Sequence, residues 1–187
     1  ATVGKYADYA RLACRGAVDK PTNSFGNIQL MITNRCQLRC VYCPVIKGRR
    51  DMDEKIIKRS IDALYVSSRK DLRLDFTGGE PLLRFDLVKK GVIYAKEKAQ
   101  RKKKNISFYL VSNLILLNEE MADFFEKEKF MLEISLDGGE SDHNLYKKSA
   151  TKRINPYRAT MEKFRYILKR DIDYHVVMVV GPKTVSR

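Results

Sequence analysis

The run Thr33-Asn-Arg-Cys-Gln-Leu-Arg-Cys-Val-Tyr-Cys-Pro44 decides the fold. It sets Cys36, Cys40 and Cys43 in a CxxxCxxC spacing, with Tyr42 directly before the last thiol. Thiolates are the ligands that zinc and iron–sulfur clusters prefer, and three on one short loop can face a single inorganic centre. A closed structural zinc site needs four protein ligands, and this loop holds no further Cys or His to supply the last. A four-iron cluster held by three cysteines leaves one iron open to a substrate or cofactor.

Downstream, Leu72-Arg-Leu-Asp-Phe-Thr-Gly-Gly-Glu-Pro-Leu-Leu83 supplies a second, independent feature. Its first six residues alternate apolar and polar as a half-buried strand does. Gly78-Gly79 then breaks the pattern, where a backbone must turn or be approached closely.

The two stretches together resemble the radical S-adenosylmethionine (SAM) superfamily, whose signatures are a CxxxCx-aromatic-C loop after the first strand of an α/β barrel and a GGEP turn. The resemblance implies that Cys36, Cys40 and Cys43 hold a 4Fe-4S cluster whose open iron chelates the amino and carboxylate groups of SAM. One electron then splits the sulfonium, and the 5′-deoxyadenosyl radical abstracts hydrogen from a substrate. It further implies that Gly78, Gly79, Glu80 and Pro81 position the methionine end of SAM, with carbonyls and the Glu80 carboxylate accepting from its ammonium group. Tyr42 would lie against the adenine, or simply cover the cluster; either way it excludes water.

Apolar patterning marks strands at about Ile28 to Thr33, Leu72 to Thr77, Ile106 to Ser112, Met131 to Leu136 and Tyr174 to Val180. Helical periods lie between them. Asp51 with Glu54 resembles a capping box, followed by Ile57, Ile61, Leu64 and Tyr65 on one face. Phe85, Val88, Val92, Ala95 and Ala99 form the next stripe. Asn118 is a candidate N-cap before Met121, Phe124 and Phe125, and Tyr157, Met161, Phe164 and Leu168 give a fourth helix. Alternation of this kind argues for parallel βαβ units. The expected fold is therefore α/β, a partial (β/α) barrel of about five parallel strands over residues 27–187, preceded by a helical extension over residues 1–26. The superfamily core has six strands, so the expectation is of an incomplete barrel with an open edge after the fifth strand, the rest belonging to a longer polypeptide or to disordered segments, with a partner as the third reading.

Sites in such barrels gather at the carboxyl ends of the strands. The third predicted strand ends at Ser112-Asn113, readable as a polar cap or as a SAM contact. The fourth ends at Ser135-Leu-Asp-Gly138, similar to the SxDG end of the branch that matures peptides and sulfatases. In that branch a His-Asp pair and an Arg follow, and the serine helps to hold SAM. Here His143 stands at the histidine position, Asn144 replaces the aspartate, and Lys147 or Lys148 stands near the arginine position. Ser135 and Asp137 are accordingly expected to contact SAM, and His143 to position a loop. His175 is expected near the start of the fifth strand, away from the chemistry, as a packed or hydrogen-bonded residue.

Composition limits the partners. The 187 residues suffice for one domain. No run is long enough to cross a bilayer and no secretory leader is legible, so a cytoplasmic protein is expected. Three of the four cysteines crowd within eight residues, a pattern of a reducing compartment and a metal. Cys14 stands apart on a helical pattern with Tyr6, Ala10, Ala13 and Ala17, and reads as a small buried hydrophobe. A net charge of +14 suits phosphates or acidic peptides. The dense run Arg101 to Lys104 ends a predicted helix, where cations favour the macrodipole, and lacks the aromatic residues that nucleic-acid stacking wants. The resemblance implies a peptide or protein substrate, an acidic one suiting the charge, and a reductant such as flavodoxin or ferredoxin. Action on a small molecule or RNA, and a non-catalytic zinc- or cluster-binding module, are the alternative readings.

Overall fold

A computed structural model describes residues 24–181. The predicted N-terminal helical extension and Cys14 lie outside them. In chain order the elements are β1 (Asn27–Thr33), β2 (Leu38–Cys40), α1 (Glu54–Leu64), β3 (Asp71–Gly78), α2 (Phe85–Lys102), β4 (Asn105–Ser112), α3 (Glu119–Lys127), β5 (Phe130–Ser135), α4 (Glu140–Tyr146), β6 (Lys147–Ser149), α5 (Pro156–Ile167) and β7 (Asp173–Val177). Five strands form one sheet in the order β1-β3-β4-β5-β7, every neighbour parallel. This is the expected partial (β/α) barrel.

Alternation along the strands divides the sheet into two faces. Leu30 and Ile32, Leu72, Leu74 and Phe76, Phe108 and Leu110, and Phe130, Leu132 and Ile134 enter the core beneath the helices. Ile57, Ile61, Val88, Val92, Ala95 and Phe125 meet them from the helix side. Phe130 is the aromatic centre of this layer, stacked on Phe108 with centroids 5.3 Å apart and touching Phe125 at 4.9 Å. The opposite face carries Arg73, Asp75 and Thr77 on β3, Tyr109 and Val111 on β4, and Glu133 and Ser135 on β5. Register sets Asp75 beside Tyr109, Val111 beside Glu133, and Glu133 beside His175.

Two helix starts follow their capping chemistry. Asn118 accepts from the Met121 amide at 2.9 Å, as expected of an N-cap. For α1 the cap is Asp53, accepting from the Lys55 amide at 2.6 Å, and not Asp51. Asp51 instead accepts from the Thr33 hydroxyl at 2.6 Å and pairs with Arg84, which fastens the returning chain to the end of β1. The run Arg101 to Lys103 is exposed at the end of α2, where Lys103 takes the left-handed C-cap position with φ 51°.

The sequence reading missed a second, two-stranded sheet in which β2 and β6 pair antiparallel. Three-residue strands such as Leu38-Arg-Cys40 and Lys147-Lys-Ser149 carry no periodicity to read. β7 also ends at Val177, three residues earlier than expected. It is the sheet's edge, exposed along its whole length, with Tyr174, Val176 and Val177 uncovered.

The two glycines of the turn after β3 set the closest backbone approach in the molecule's site. A Cβ on Gly79 would stand 2.1 Å from the Arg35 carbonyl oxygen, and one on Gly78 2.3 Å from that of Thr33. Neither backbone atom can swing aside. We expect Gly79→Ala to lower the unfolding free energy in urea by about 3 kcal/mol, a typical overpacking cost. Gly139→Ala, where nothing lies within 4 Å of the added carbon, should cost under about 1 kcal/mol as an N-cap change.

Candidate cofactor site

Cys36, Cys40 and Cys43 are free, partly buried thiols on the wall of one cavity of about 410 Å³. Polar groups point at two of the sulfurs. The Leu38 amide lies 3.3 Å from the Cys36 Sγ, the Asn113 side-chain amide 3.8 Å from it, and the Lys47 Nζ 3.1 Å from the Cys43 Sγ. Burial pushes the Cys36 thiol up and the Cys40 thiol to about 11. Such thiols ionise when a cationic centre arrives to replace the lost hydration. Among the described residues no three His, Cys, Asp or Glu side chains are arranged to hold one metal ion. Three free thiols lining one cavity are the donor set that would hold an iron–sulfur cluster.

The turn after β3 closes on this loop through backbone alone. The Gly79 amide donates to the Thr33 carbonyl at 2.7 Å and the Glu80 amide to that of Arg35 at 2.8 Å. Glu80 is thereby buried at the cavity wall. Its Oε1 accepts from the Ser112 hydroxyl at 2.8 Å and the Leu82 amide at 3.1 Å, and its Oε2 from the Asn113 amide at 3.0 Å. Burial raises its pKa to about 6, although these three bonds and Lys47 favour the ionised form. A carboxylate offers about four acceptor sites, so one remains for a donor in the cavity.

The expected site residues converge, with two exceptions. Tyr42, Gly78, Gly79, Glu80, Ser112, Asn113 and Ser135 all line the cavity. Ser112 is committed to Glu80, and Asn113 accepts from the Gln37 side chain at 2.8 Å while donating toward Cys36. Pro81 is not on the wall: it opens the short 3-10 turn at Pro81–Arg84 that lets Glu80 cap Leu82. Asp137 is not there either. Its carboxylate accepts from the Tyr42 hydroxyl at 2.5 Å and the Val179 amide at 3.0 Å, and faces the Lys147 Nζ at 3.8 Å. Asp137 therefore holds the wall residues Tyr42 and Lys147 in place.

Lys147 is the residue that the sequence reading could not separate from Lys148. Neighbours on a strand face opposite sides, and here Lys147 is buried in the cavity wall while Lys148 is exposed. Register makes Lys147 the partner of Cys40. Burial lowers its pKa, and Asp137 and the Cys40 thiol act against that. Lys47, Thr77, Val111 and Glu133 also line the cavity and were not foreseen. Glu133 was legible in principle, as the polar member of an apolar strand two residues before Ser135. His175 is hydrogen-bonded as expected, but it sits at mid-strand. Its Nε2 is 2.8 Å from the Tyr109 hydroxyl and 3.4 Å from Glu133, on the face that carries the cavity.

Fold and site together define a partial-barrel protein with a thiol-lined cofactor cavity at the carboxyl ends of its strands. A family model described as "Radical SAM superfamily" matches residues 30–186. The chain belongs to the radical SAM superfamily, whose cofactors are a 4Fe-4S cluster and SAM. It is 34% identical over 160 residues to the uncharacterized protein MJ0907 of Methanocaldococcus jannaschii, covering 83% of this chain and 53% of the relative. It is 30% identical over 171 residues to a GTP 3′,8-cyclase of Clostridium botulinum, covering 88% and 51%. Against a cysteine-type anaerobic sulfatase-maturating enzyme of Clostridium novyi it is 25% identical over 161 residues, covering 81% and 42%. The chain thus spans about half the length of these relatives. The solved structure of native anSMEcpe with bound AdoMet and Cp18Cys peptide superposes with a TM-score of 0.78 at 22% identity, covering 87% of this chain and 45% of that one. No helix among the described residues is long and apolar enough to cross a membrane.

His143 locks the strand end on which Asp137 sits, its Nδ1 accepting from the Asp137 amide at 3.2 Å. Burial first, and Lys147 second, lower its pKa from 6.5 to about 4 against the opposing pull of Asp137. A histidine held neutral contributes stability that is full above pH 6.5 and lost as the pH falls through about 4. His143→Gln keeps an acceptor for that amide but cannot titrate. Denaturation midpoints measured between pH 7 and pH 4 should fall more steeply for the native protein than for this variant.

Proposed function

We propose that this chain is the catalytic core of a radical SAM enzyme that reductively cleaves SAM and uses the resulting radical to modify a residue of a peptide or protein. The observation that carries the reading is the meeting, on one cavity wall, of three free cysteines with the buried Glu80 carboxylate and the Lys147 ammonium. When bound, the cluster supplies the electron that splits the sulfonium at the ribose carbon, releasing methionine and a 5′-deoxyadenosyl radical. The residues of the chain bind and orient. Glu80 keeps one acceptor site for the ammonium of the SAM methionine portion, and Lys147 offers a cation to its carboxylate. Ser135, whose hydroxyl bonds to no other described residue, is free for the same ligand. Tyr42, fixed by Asp137, closes one side of the cavity against water. Glu133, Thr77 and Val111 line the same cavity, where a substrate carbon would meet the radical.

The relatives support a peptide substrate through the sulfatase-maturating enzyme and the peptide-bound anSMEcpe structure. A net charge of +14 suits an acidic peptide. A nucleotide substrate is the second reading, favoured by the 30% identity to the GTP 3′,8-cyclase. The proposal includes a cytoplasmic location and reduction by flavodoxin or ferredoxin.

Anaerobic reconstitution tests the core of this. The native protein should bind about four irons per chain and release 5′-deoxyadenosine from SAM under reductant, measured by mass spectrometry. Cys36→Ala, Cys40→Ala and Cys43→Ala should each lose the iron and cut release at least about 100-fold, whereas Cys14→Ala should keep both. Release that survives the first three changes sinks the assignment. Glu80→Gln should weaken SAM binding to the reconstituted protein about tenfold or more in equilibrium dialysis, the cost of one charge-assisted bond. Deuterium transfer from labelled peptides or from labelled GTP into 5′-deoxyadenosine separates the two substrate readings.

A further inference from the structure

Arg39 and Lys148 stand directly opposite each other in the antiparallel pair of β2 and β6. Like charges so placed repel. Both side chains are exposed, and neither has a carboxylate partner among the described residues. Arg39 donates to the carbonyls of Cys36 and Leu38, and Lys148 to that of Asn144. Beside them Lys148, Lys152 and Arg153 line a groove of about 530 Å³ with Ile154 and Pro156. Lys152 and Arg153 are likewise exposed and without an ion pair among the described residues. Val41, which follows β2 and bonds through its amide to the Tyr146 carbonyl just before β6, is an exposed apolar side chain of the kind a protein partner buries.

The groove lies against the back of the cofactor cavity. Lys147 belongs to the wall of both, and it is the register partner of Cys40. Adjacent strands lie about 4.8 Å apart. A partner in the groove would therefore sit one strand from a cysteine ligand, yet β6 would bar it from the cavity itself. A substrate must enter the cavity, so this face does not suit one. An electron donor needs proximity alone. Nucleic acid fits less well, because no aromatic side chain lines the groove for stacking.

We propose that this cationic groove is the docking surface for an acidic electron-carrier protein that reduces the cluster. The proposal rests on the radical SAM reading above. One electron leaves the reduced prosthetic group of the carrier, which is oxidised by one electron, and enters the cluster; no atom moves between the partners. The attraction is between exposed charges, so it weakens as salt shortens the screening length to about 8 Å near physiological ionic strength.

The test uses the reconstituted protein and an acidic flavodoxin reduced to its hydroquinone. A fourfold variant, Arg39→Gln, Lys148→Gln, Lys152→Gln and Arg153→Gln, is compared with a charge-matched control, Lys55→Gln, Arg59→Gln, Lys127→Gln and Lys169→Gln. Stopped-flow absorbance of the cluster gives the reduction rate, and calorimetric titration gives flavodoxin affinity. We expect the groove variant to lose at least about tenfold in both at low salt, with a flattened salt dependence, while the control loses less than about twofold. Reduction by dithionite should be equal in all three proteins. An equal loss in both variants, or none in the groove variant, overturns the proposal. So does loss of binding to a single-stranded RNA oligonucleotide in the groove variant with flavodoxin affinity intact, which would make the face a nucleic-acid surface. Failure of SAM cleavage with dithionite in the native protein would count against the enzymatic reading, and the titration would still decide the docking surface.

Discussion

The site depends on two backbone hydrogen bonds between segments more than forty residues apart in sequence. The amides of Gly79 and Glu80 donate to the carbonyls of Thr33 and Arg35, and so join the turn after β3 to the start of the cysteine loop. The contact is possible only because neither Gly78 nor Gly79 has a side chain to hold the two backbones apart. It buries Glu80, and a buried carboxylate requires hydrogen-bond partners. Ser112 and Asn113 at the end of β4 supply them. The ends of three parallel strands are thereby fixed around one point, and Cys36 is drawn into reach of Asn113.

The far side of the cysteine loop is held differently. Asp137 leaves the end of β5 and gathers Tyr42, Lys147 and the Val179 amide around one carboxylate. A buried charge with a cation and two donors avoids the full desolvation cost that a lone one would carry. Through Tyr42 and Lys147 it reaches both β2 and β6, whose pairing continues in bonds from Val41 to Tyr146 and from Ala150 to Gln37. The loop is thus clamped from both sides by the barrel.

Much of this was legible in the chain. Five strands read from alternation lie within a few residues of their observed bounds, because one face of each is buried and period two follows directly. Seven of the nine expected cofactor-cavity residues line one cavity, because strand ends in a parallel sheet all point to the same side. Asp137 stands off that wall because a motif fixes position but not which neighbour a carboxylate will choose. Asp51 misled for the same reason: Thr33 and Arg84 compete for it across the fold. The β2–β6 pair was invisible because three residues carry no period, and with it went Lys147 and the groove behind it.

One face of the sheet remains polar, and its arrangement bears on what the cavity can accept. Arg73 is held by Asp75 at 2.7 and 3.0 Å and lies over the Tyr109 ring at 5.1 Å. Tyr109 donates to Glu133 at 2.5 Å, and His175 touches both. Burial first, and Glu133 second, push the Tyr109 phenol well above its ordinary range, so it stays a donor. Each group fixes the next, and the chain of bonds ends at Glu133 on the cavity wall. A molecule entering from this side meets a carboxylate whose orientation is already set, although the protein as a whole is strongly cationic. Net charge governs what approaches the surface from a distance. The ordered groups beside the thiols act at short range, and the Glu133 carboxylate among them is held by Tyr109 and His175.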